Sequence, residues 1–108
     1  MANLPDALPF LEENPIVPVV VIDDAADAVA VGEALVAGGI GCAEVTFRTA
    51  AGPDAIKEMS AVEGMTVGAG TILNREQAER AADQGAKFFV SPGWDDGVAD
   101  VAAERGIP

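Results

Sequence analysis

Short apolar runs rich in β-branched residues alternate along the chain with alanine-rich segments that carry apolar residues at helical spacing. A short apolar run bounded by turn residues is typical of a buried strand, and a 3.6-residue spacing is typical of a helix. The pattern predicts a leading helix over residues 4–13. It then predicts strands over residues 16–22, 42–47, 65–70 and 87–91, each followed by a helix, over residues 25–37, 53–62, 75–84 and from Asp95 or Asp96 to Gly106.

Residues typical of helix starts and helix ends support these boundaries. Asn74 and Gln77 have the spacing of a capping pair at the start of the third of these helices, and Pro53 suits the first turn of the second. Glycines follow three of the helices, as is common at helix C-termini. The alternation therefore predicts an α/β fold of four βα units with parallel strands.

The first strand, IVPVVVI, is continuously apolar, which predicts burial on both faces. Pro18 lies within it and cannot donate a backbone hydrogen bond, so an edge position or the first strand of a barrel is expected. Two architectures fit the alternation. The length of 108 residues favours a small doubly wound sheet, since a complete (β/α)8 barrel typically has about 250 residues. The loops after the strands favour part of such a barrel.

Composition excludes several classes of function. The net charge is −12, from 18 acidic and 6 basic residues, so no basic patch for nucleic acid or an anionic membrane is expected. The absence of histidine excludes His-based general bases and His-ligated zinc. The single cysteine, Cys42, cannot form an intrachain disulfide, and no apolar stretch resembles a signal peptide or membrane span. A cytoplasmic localisation is expected.

The second strand carries the most informative residues. Alternation places Cys42, Glu44, Thr46 and Arg48 on one face, while the intervening residues face the helices. Glu44 and Arg48 lie roughly 13 Å apart along an extended strand at about 3.3 Å per residue, so a direct ion pair is not automatic. One hypothesis is a structural ion pair that bends together at the strand end. The preferred one is a site at the C-terminal end of a barrel strand, with Glu44 as general acid/base and Arg48 as a bidentate carboxylate clamp.

Two further loops are candidates for the same site. Gly68-Ala69-Gly70-Thr71 follows the third strand, and Leu73 stands where a dinucleotide fingerprint would need a third glycine. The glycines leave bare backbone that could face a cavity, and the Thr71 hydroxyl could donate to an anion. Tight strand–helix packing is the alternative for the glycines. Pro92, in Ser91-Pro92-Gly93, could line the cavity mouth, or the segment could be an ordinary turn.

Four segments, in this order and spacing, resemble the 2-keto-3-deoxy-6-phosphogluconate (KDPG) and 4-hydroxy-2-oxoglutarate aldolase family: IVPVVVIDD, LVAGGIGCAEVTFRT, VGAGTILNREQ and GAKFFVSPG. The resemblance runs from about Pro15 to Pro108. It implies that residues 1–108 form the first half, four βα units, of a TIM-type (β/α)8 barrel. It also implies cleavage of KDPG to pyruvate and glyceraldehyde 3-phosphate by a Schiff-base lysine without a metal or cofactor. Glu44 would transfer protons, and Arg48, Thr71 and Pro92 would bind substrate.

The family's Schiff-base lysine lies on the sixth strand, and its phosphate-binding loops follow strands seven and eight, beyond the four units predicted here. Lys57 falls in a helix, and Lys87 falls at the start of the fourth strand, the wrong end for the site. The chain alone is therefore expected to be inactive. Alternatives are a non-catalytic half-barrel module that completes a barrel by association, and a small-acid binding protein. The expected partners are a small keto acid and either copies of the chain, since the family is often trimeric, or a partner half-barrel.

Overall fold

A computed structural model describes residues 3–108, so the first two residues of the predicted 1–108 domain lie outside the described part. Three parallel strands pair in chain order: β1 (Val19–Val20), β2 (Cys42–Thr46) and β3 (Thr66–Gly70). Thr46 of β2 is in register with Gly70 of β3, so the two strands end at the same edge of the sheet. A bridge between Ala69 and Phe89 extends the sheet beyond β3 in the parallel direction. The strand order is that of consecutive βα units.

Five α-helices and one 3₁₀ turn accompany the strands in residues 3–108. The predicted cap at Asn74 is confirmed, because its carboxamide accepts from the Gln77 N–H at 2.9 Å. Of the two residues predicted to start the last helix, Asp95 is the N-cap and accepts from the Val98 N–H at 2.9 Å. Gly106 ends the last helix in the left-handed conformation, with a φ of 66°. The elements are α1 (Leu8–Glu13), the 3₁₀ turn (Ala25–Asp27), α2 (Ala28–Ala37), α3 (Gly52–Ser60), α4 (Arg75–Asp83) and α5 (Asp96–Arg105).

The core lies between the sheet and helices α2 to α5. Val45 and Val67 project from the strands into this layer, which explains why alternate strand residues are small or β-branched. Ile56 and Met59 of α3 are fully buried against them. Complete burial of such a side chain stabilises a fold by roughly 1.5–3 kcal/mol, so this layer fixes the position of the strands and of the loops that follow them.

The first two predicted elements are shorter than the sequence pattern suggested. The leading helix covers Leu8–Glu13 instead of residues 4–13, and β1 covers two residues instead of seven. The prediction that the first strand is buried on both faces is wrong, since Val19 is 56% exposed. The Pro18 carbonyl accepts from the Glu44 N–H, but Pro18 has no N–H to continue the ladder. Within residues 3–108, β1 is an edge strand with a partner on one side.

The predicted fourth strand, residues 87–91, is reduced to the single bridge at Phe89. Its backbone still follows β3, because the Lys87 N–H donates to the Val67 carbonyl and the Val90 N–H donates to the Ala69 carbonyl, both at 2.8 Å. On its other side the Phe89 N–H donates to the Pro108 carbonyl at 2.9 Å, so the chain returns to this edge after α5. Four successive βα units therefore curve in order, as in the first half of a barrel.

Gly52 sets the close approach of α3 to the end of β2. A Cβ at this position would overlap the Thr46 carbonyl oxygen and lie 3.4 Å from the Phe47 Cα, so only backbone could move to relieve the clash. We expect Gly52→Ala to lower the free energy of unfolding by about 1–3 kcal/mol, measured by urea denaturation. Gly93→Ala is the matched control, because nothing lies within 4 Å of a Cβ there. Equal effects of the two substitutions would contradict the expectation.

Candidate active site

The loops that follow the strands meet at one edge of the sheet. The Phe47 N–H donates to the Gly70 carbonyl at 2.8 Å, which joins the loop after β2 to the end of β3. The Thr49 hydroxyl donates to the Ile22 carbonyl and ties the same loop to the end of β1. The Ile72 N–H donates to the Val90 carbonyl at 3.2 Å, joining the loop after β3 to the next segment. Side chains of these loops are thus held on a connected backbone frame.

Glu44 projects from β2 onto the face of the sheet opposite helices α2 to α5. Its side chain lies over Gly70 of the neighbouring strand: a Cβ on Gly70 would be 2.6 Å from the Glu44 Cδ and would overlap one carboxylate oxygen. Glu44 is 8% exposed, and no donor in residues 3–108 hydrogen-bonds its carboxylate, whose oxygens therefore keep some contact with solvent. Burial raises the pKa of Glu44, and the positive charge of Arg48 partly opposes the rise. A carboxyl held this way suits proton transfer, because its pKa moves toward neutrality.

Arg48 lies in the turn after β2 and is exposed. Nothing among the described residues forms an ion pair with it within 4.0 Å, so the structural ion pair with Glu44 is absent from this part of the chain. Its backbone N–H donates to the Thr46 hydroxyl at 3.4 Å, which fixes the start of the turn. The charge of Arg48 nevertheless acts on Glu44, since it lowers the pKa of that carboxyl. Its donors are available to an anion.

Thr71 follows Gly70 at the same edge and has a left-handed backbone, with a φ of 56°. It is the one non-glycine residue among those described with a positive φ. This conformation is unfavourable for a β-branched residue, costing roughly 1–3 kcal/mol, and such strain concentrates at functional sites. No residue pattern around Thr71 predicts this geometry. It places the predicted anion-binding hydroxyl one residue beyond the glycine that Glu44 covers.

The two glycines of β3 do not present bare backbone to a cavity, and that part of the prediction is wrong. The aromatic ring of Phe88 lies over Gly68, where a Cβ would overlap it, and Glu44 lies over Gly70. Both glycines are buried. Small residues are needed at these positions because side chains from the two neighbouring segments fill the space above them.

The remaining predicted residues lie apart from Glu44. Pro92 is exposed in a bend after the Phe89 bridge and does not line the cavity that contains Glu44. Lys87 is exposed, and Lys57 is exposed in α3. A cavity of about 250 Å³ lies beside Glu44 and is lined mainly by apolar side chains of α1 and of the segment after α4, Phe10 and Phe88 among them. The structure thus groups Glu44, Arg48 and Thr71 on adjacent strand ends.

Comparison with known proteins identifies the family. The family model for KDPG and KHG aldolase matches residues 9–108. The chain belongs to the KDPG and KHG aldolase family. The 2-dehydro-3-deoxy-phosphogluconate aldolase of Zymomonas mobilis is 53% identical over 79 residues, which cover 73% of this chain and 38% of that protein. The crystal structure of the 2-keto-3-deoxy-6-phosphogluconate aldolase from Zymomonas mobilis superposes with a TM-score of 0.87 at 43% identity, covering 94% of this chain and 50% of that one.

A second solved relative contains a trapped reaction species. KDPG aldolase from Legionella pneumophila, with pyruvate captured as a covalent carbinolamine intermediate, matches at 34% identity with a TM-score of 0.79. It covers 88% of this chain and 47% of that one. The chain thus spans about half the length of its relatives in the KDPG and KHG aldolase family. The superpositions confirm the expected fold class, the first half of a TIM-type barrel.

Sequence reasoning missed two residues of this family member's site. Phe88 covers Gly68 next to Glu44, and Phe10 of α1 packs on Phe88 with ring centroids 4.9 Å apart. The available signal was the two-residue spacing of Gly68 and Gly70, which removes two side chains from one face of β3. Because that spacing leaves space above β3, large side chains from neighbouring segments could have been expected to fill it.

None of the helices formed by residues 3–108 has the length and apolar character needed to cross a membrane.

The raised pKa of Glu44 predicts a pH-dependent effect on stability. Between the unfolded and folded pKa values the folded state binds more protons, so the contribution of Glu44 to stability falls as pH rises through that window. We expect Glu44→Gln to stabilise the chain at pH 7 by on the order of 1 kcal/mol, because a neutral group replaces a buried charge. The gain should vanish below about pH 4, where the Glu44 carboxyl is protonated in the folded and in the unfolded state. Urea denaturation at both pH values tests this.

Glu33→Gln is the matched control for that measurement. Glu33 is an exposed carboxylate on α2, so its replacement is expected to change stability by less than about 0.5 kcal/mol at either pH. A Glu44→Gln variant that is less stable than the parent at pH 7, or whose gain is the same at pH 4, would show that burial of the carboxylate is not the dominant effect.

Proposed function

We propose that this chain supplies the proton-transfer and carboxylate-binding half of a class I aldolase that cleaves KDPG to pyruvate and glyceraldehyde 3-phosphate. The observation that carries the proposal is the Glu44 side chain, which is 8% exposed and lies over Gly70 with no hydrogen-bond donor to its carboxylate in residues 3–108. Arg48 and Thr71 lie on the adjoining strand ends. Membership of the KDPG and KHG aldolase family supports the same chemistry. The buried charge is retained for the reaction rather than for stability.

The three residues have separate roles in this proposal. Arg48 and the Thr71 hydroxyl bind the carboxylate of the pyruvyl part, which fixes the keto carbon relative to Glu44. A lysine from a segment outside residues 1–108 condenses with the keto carbon to give an iminium ion and water. Lys57 and Lys87 do not serve, since both are exposed and neither lines the cavity beside Glu44.

Glu44 moves the proton in each half of the reaction. As the C3–C4 bond breaks, the carboxylate accepts the proton of the C4 hydroxyl, and the bonding electrons pass into the iminium to form an enamine. The aldehyde leaves, and the protonated carboxyl returns a proton to C3. Water then releases pyruvate and restores the lysine. A carboxyl with a pKa moved toward neutrality performs both transfers better than an ordinary one, because neither direction is strongly uphill.

Substrate choice beyond the pyruvyl part is left to the other half of the barrel. The related substrate 4-hydroxy-2-oxoglutarate shares the pyruvyl carboxylate that Arg48 and Thr71 would bind, and it lacks the phosphate of KDPG. The roles proposed here therefore hold for both substrates. We propose KDPG as the preferred one, as in the name of the 53% identical Zymomonas mobilis relative.

A chimeric enzyme tests the proposal. Residues 9–108 replace the matching half of the Zymomonas mobilis aldolase, and pyruvate release is measured from KDPG and from 4-hydroxy-2-oxoglutarate. We expect turnover of KDPG within about 100-fold of the parent enzyme, since misplacement of a site by about 1 Å costs that much. A chimera with native-like circular dichroism and thermal stability that releases no pyruvate from either substrate would refute the proposal.

The same chimera separates catalysis from the alternative, a non-catalytic half-barrel that completes a barrel by association. That alternative is favoured by the exposed apolar side chains of the β1 edge, with Ile16 at 64% and Val19 at 56% exposure. It requires a folded, closed barrel in which Glu44 has no effect on chemistry. Light scattering of this chain mixed with the separate second half of the Zymomonas mobilis aldolase would show the association.

A further inference from the structure

We propose that Phe88 is a positioning residue for Glu44: its ring fills the space above Gly68 and holds the Glu44 carboxyl in the adjoining space above Gly70. The inference deepens the proposed role of Glu44 and rests on it. It assigns a purpose to the two glycines of β3 and to the aromatic side chain of Phe88.

Gly68 and Gly70 lie on the same face of β3, two residues apart, which is about 6.6 Å along a strand. A Cβ on Gly68 would overlap the Phe88 ring, and a Cβ on Gly70 would lie 2.6 Å from the Glu44 Cδ. The ring reaches this face from the segment on one side of β3, and the carboxyl reaches it from β2 on the other. The two side chains are therefore next to each other on one strand.

Glu44 does not stand directly above its own register partner. Glu44 is paired with Gly68, but its carboxyl lies over Gly70, displaced toward the C-terminal edge of the sheet where Arg48 and Thr71 are. The space above Gly68 is occupied by Phe88, which is 6% exposed. The ring thus blocks the orientation that would carry the carboxyl straight across the ladder, and the remaining direction leads to the proposed substrate side.

A second aromatic ring packs against Phe88. Phe10 of α1 packs on Phe88 with ring centroids 4.9 Å apart, a distance typical of aromatic pairs. Both rings line the cavity beside Glu44, so the Glu44 side chain borders an apolar surface. This arrangement accounts for the burial that raises the pKa of Glu44. The two aromatic rings therefore set the direction of the Glu44 carboxyl and give it low-dielectric surroundings.

The charged groups that act on Glu44 are few. Arg48, from the turn after β2, is the group in the described residues whose charge lowers the pKa of Glu44. Cys42, two positions earlier on the same strand face, donates its thiol to the Ile16 carbonyl at 3.3 Å, and burial raises its pKa, so it is uncharged at neutral pH. A change at Phe88 therefore acts on Glu44 through solvent access and position.

The test is the titration of the Glu44 carboxyl in the 108-residue chain, followed by ¹³C NMR, with the signal assigned by its loss in Glu44→Gln. We expect the midpoint to move to lower pH in Phe88→Ala, because water reaches the carboxyl, and to move less in Phe88→Leu. Val101→Ala is the control: Val101 is 1% exposed in α5 on the far side of the sheet, so this variant loses stability without a shift of the midpoint.

Three outcomes overturn the proposal: an unchanged midpoint in a folded Phe88→Ala, an unchanged midpoint in Phe88→Leu even where the alanine variant does not fold, or an equal shift in Val101→Ala. No substrate is involved, so failure of the chimera to cleave KDPG leaves this result standing, and the reverse also holds. In an active chimera, Phe88→Ala should lower kcat by about 10–100-fold with KM little changed, and Phe88→Leu should recover most of it.

Discussion

Replacement of Glu44 by glutamine in the chimeric aldolase is expected to lower kcat for KDPG cleavage by about 10²–10⁴-fold, the usual contribution of general acid–base catalysis. Glutamine has nearly the same shape as the glutamate side chain that lies over Gly70. The amide cannot take the C4 proton or return one to C3. KM should change little, because the carboxylate of the substrate is bound by Arg48 and Thr71. Steady-state kinetics with coupled detection of pyruvate measures both constants.

Two features make this result specific. Glu44→Gln is expected to fold at least as well as the parent, so lost activity cannot be attributed to unfolding. Glu33→Gln, at an exposed carboxylate of α2, supplies the matched change of charge and should keep full activity. A Glu44→Gln chimera with more than about a tenth of the parent kcat would remove Glu44 from the proton transfer, since so small a loss lies below the range for that role.

The sequence predicted the position of Glu44 and its neighbours because their signals are local. Strict alternation in the second strand placed a carboxylate on the face opposite the helices, and the parallel order of strands placed Arg48 and Thr71 at one edge. These inferences need only the two-residue alternation of side chains along a strand and the rule that neighbouring parallel strands end at the same edge of a sheet. The caps at Asn74 and Asp95 are confirmed for the same reason, since each depends on residues three positions apart.

The features that sequence reasoning missed depend on contacts between segments far apart in the chain. The left-handed backbone of Thr71 occurs where the chain leaves β3, and nothing in Gly-Ala-Gly-Thr requires it. Phe88 lies 20 residues from Gly68 and Phe10 lies 78 residues from Phe88, so their stacking has no local pattern. The exposed β1 edge was mistaken for a buried strand because its apolar run is typical of a strand with partners on both sides, and within residues 3–108 it is paired on one side.

The second large effect is expected at Arg48. Arg48→Gln in the chimera should raise KM for KDPG by about 10–100-fold, because hydrogen bonds between charged groups contribute about 1.5–3 kcal/mol. Arg48→Lys keeps the charge but loses the bidentate geometry, so it should raise KM by a smaller factor. Arg105→Gln is the control, since Arg105 pairs with Asp83 on the outer helices at 2.9 Å and lies away from the strand ends.

Arg48 also allows its two effects to be separated, because it lowers the pKa of Glu44 as well as offering donors to the substrate. Without the guanidinium charge, the pKa of Glu44 rises further, so the acid limb of the kcat profile should move to higher pH in Arg48→Gln. In Arg48→Lys the limb should stay near that of the parent while KM is still raised.

A raised KM with no movement of the limb in either variant would show that Arg48 binds substrate without influencing Glu44. Movement of the limb with an unchanged KM would show the reverse, and the carboxylate of the substrate would then have to be bound by Thr71 and its neighbouring backbone alone.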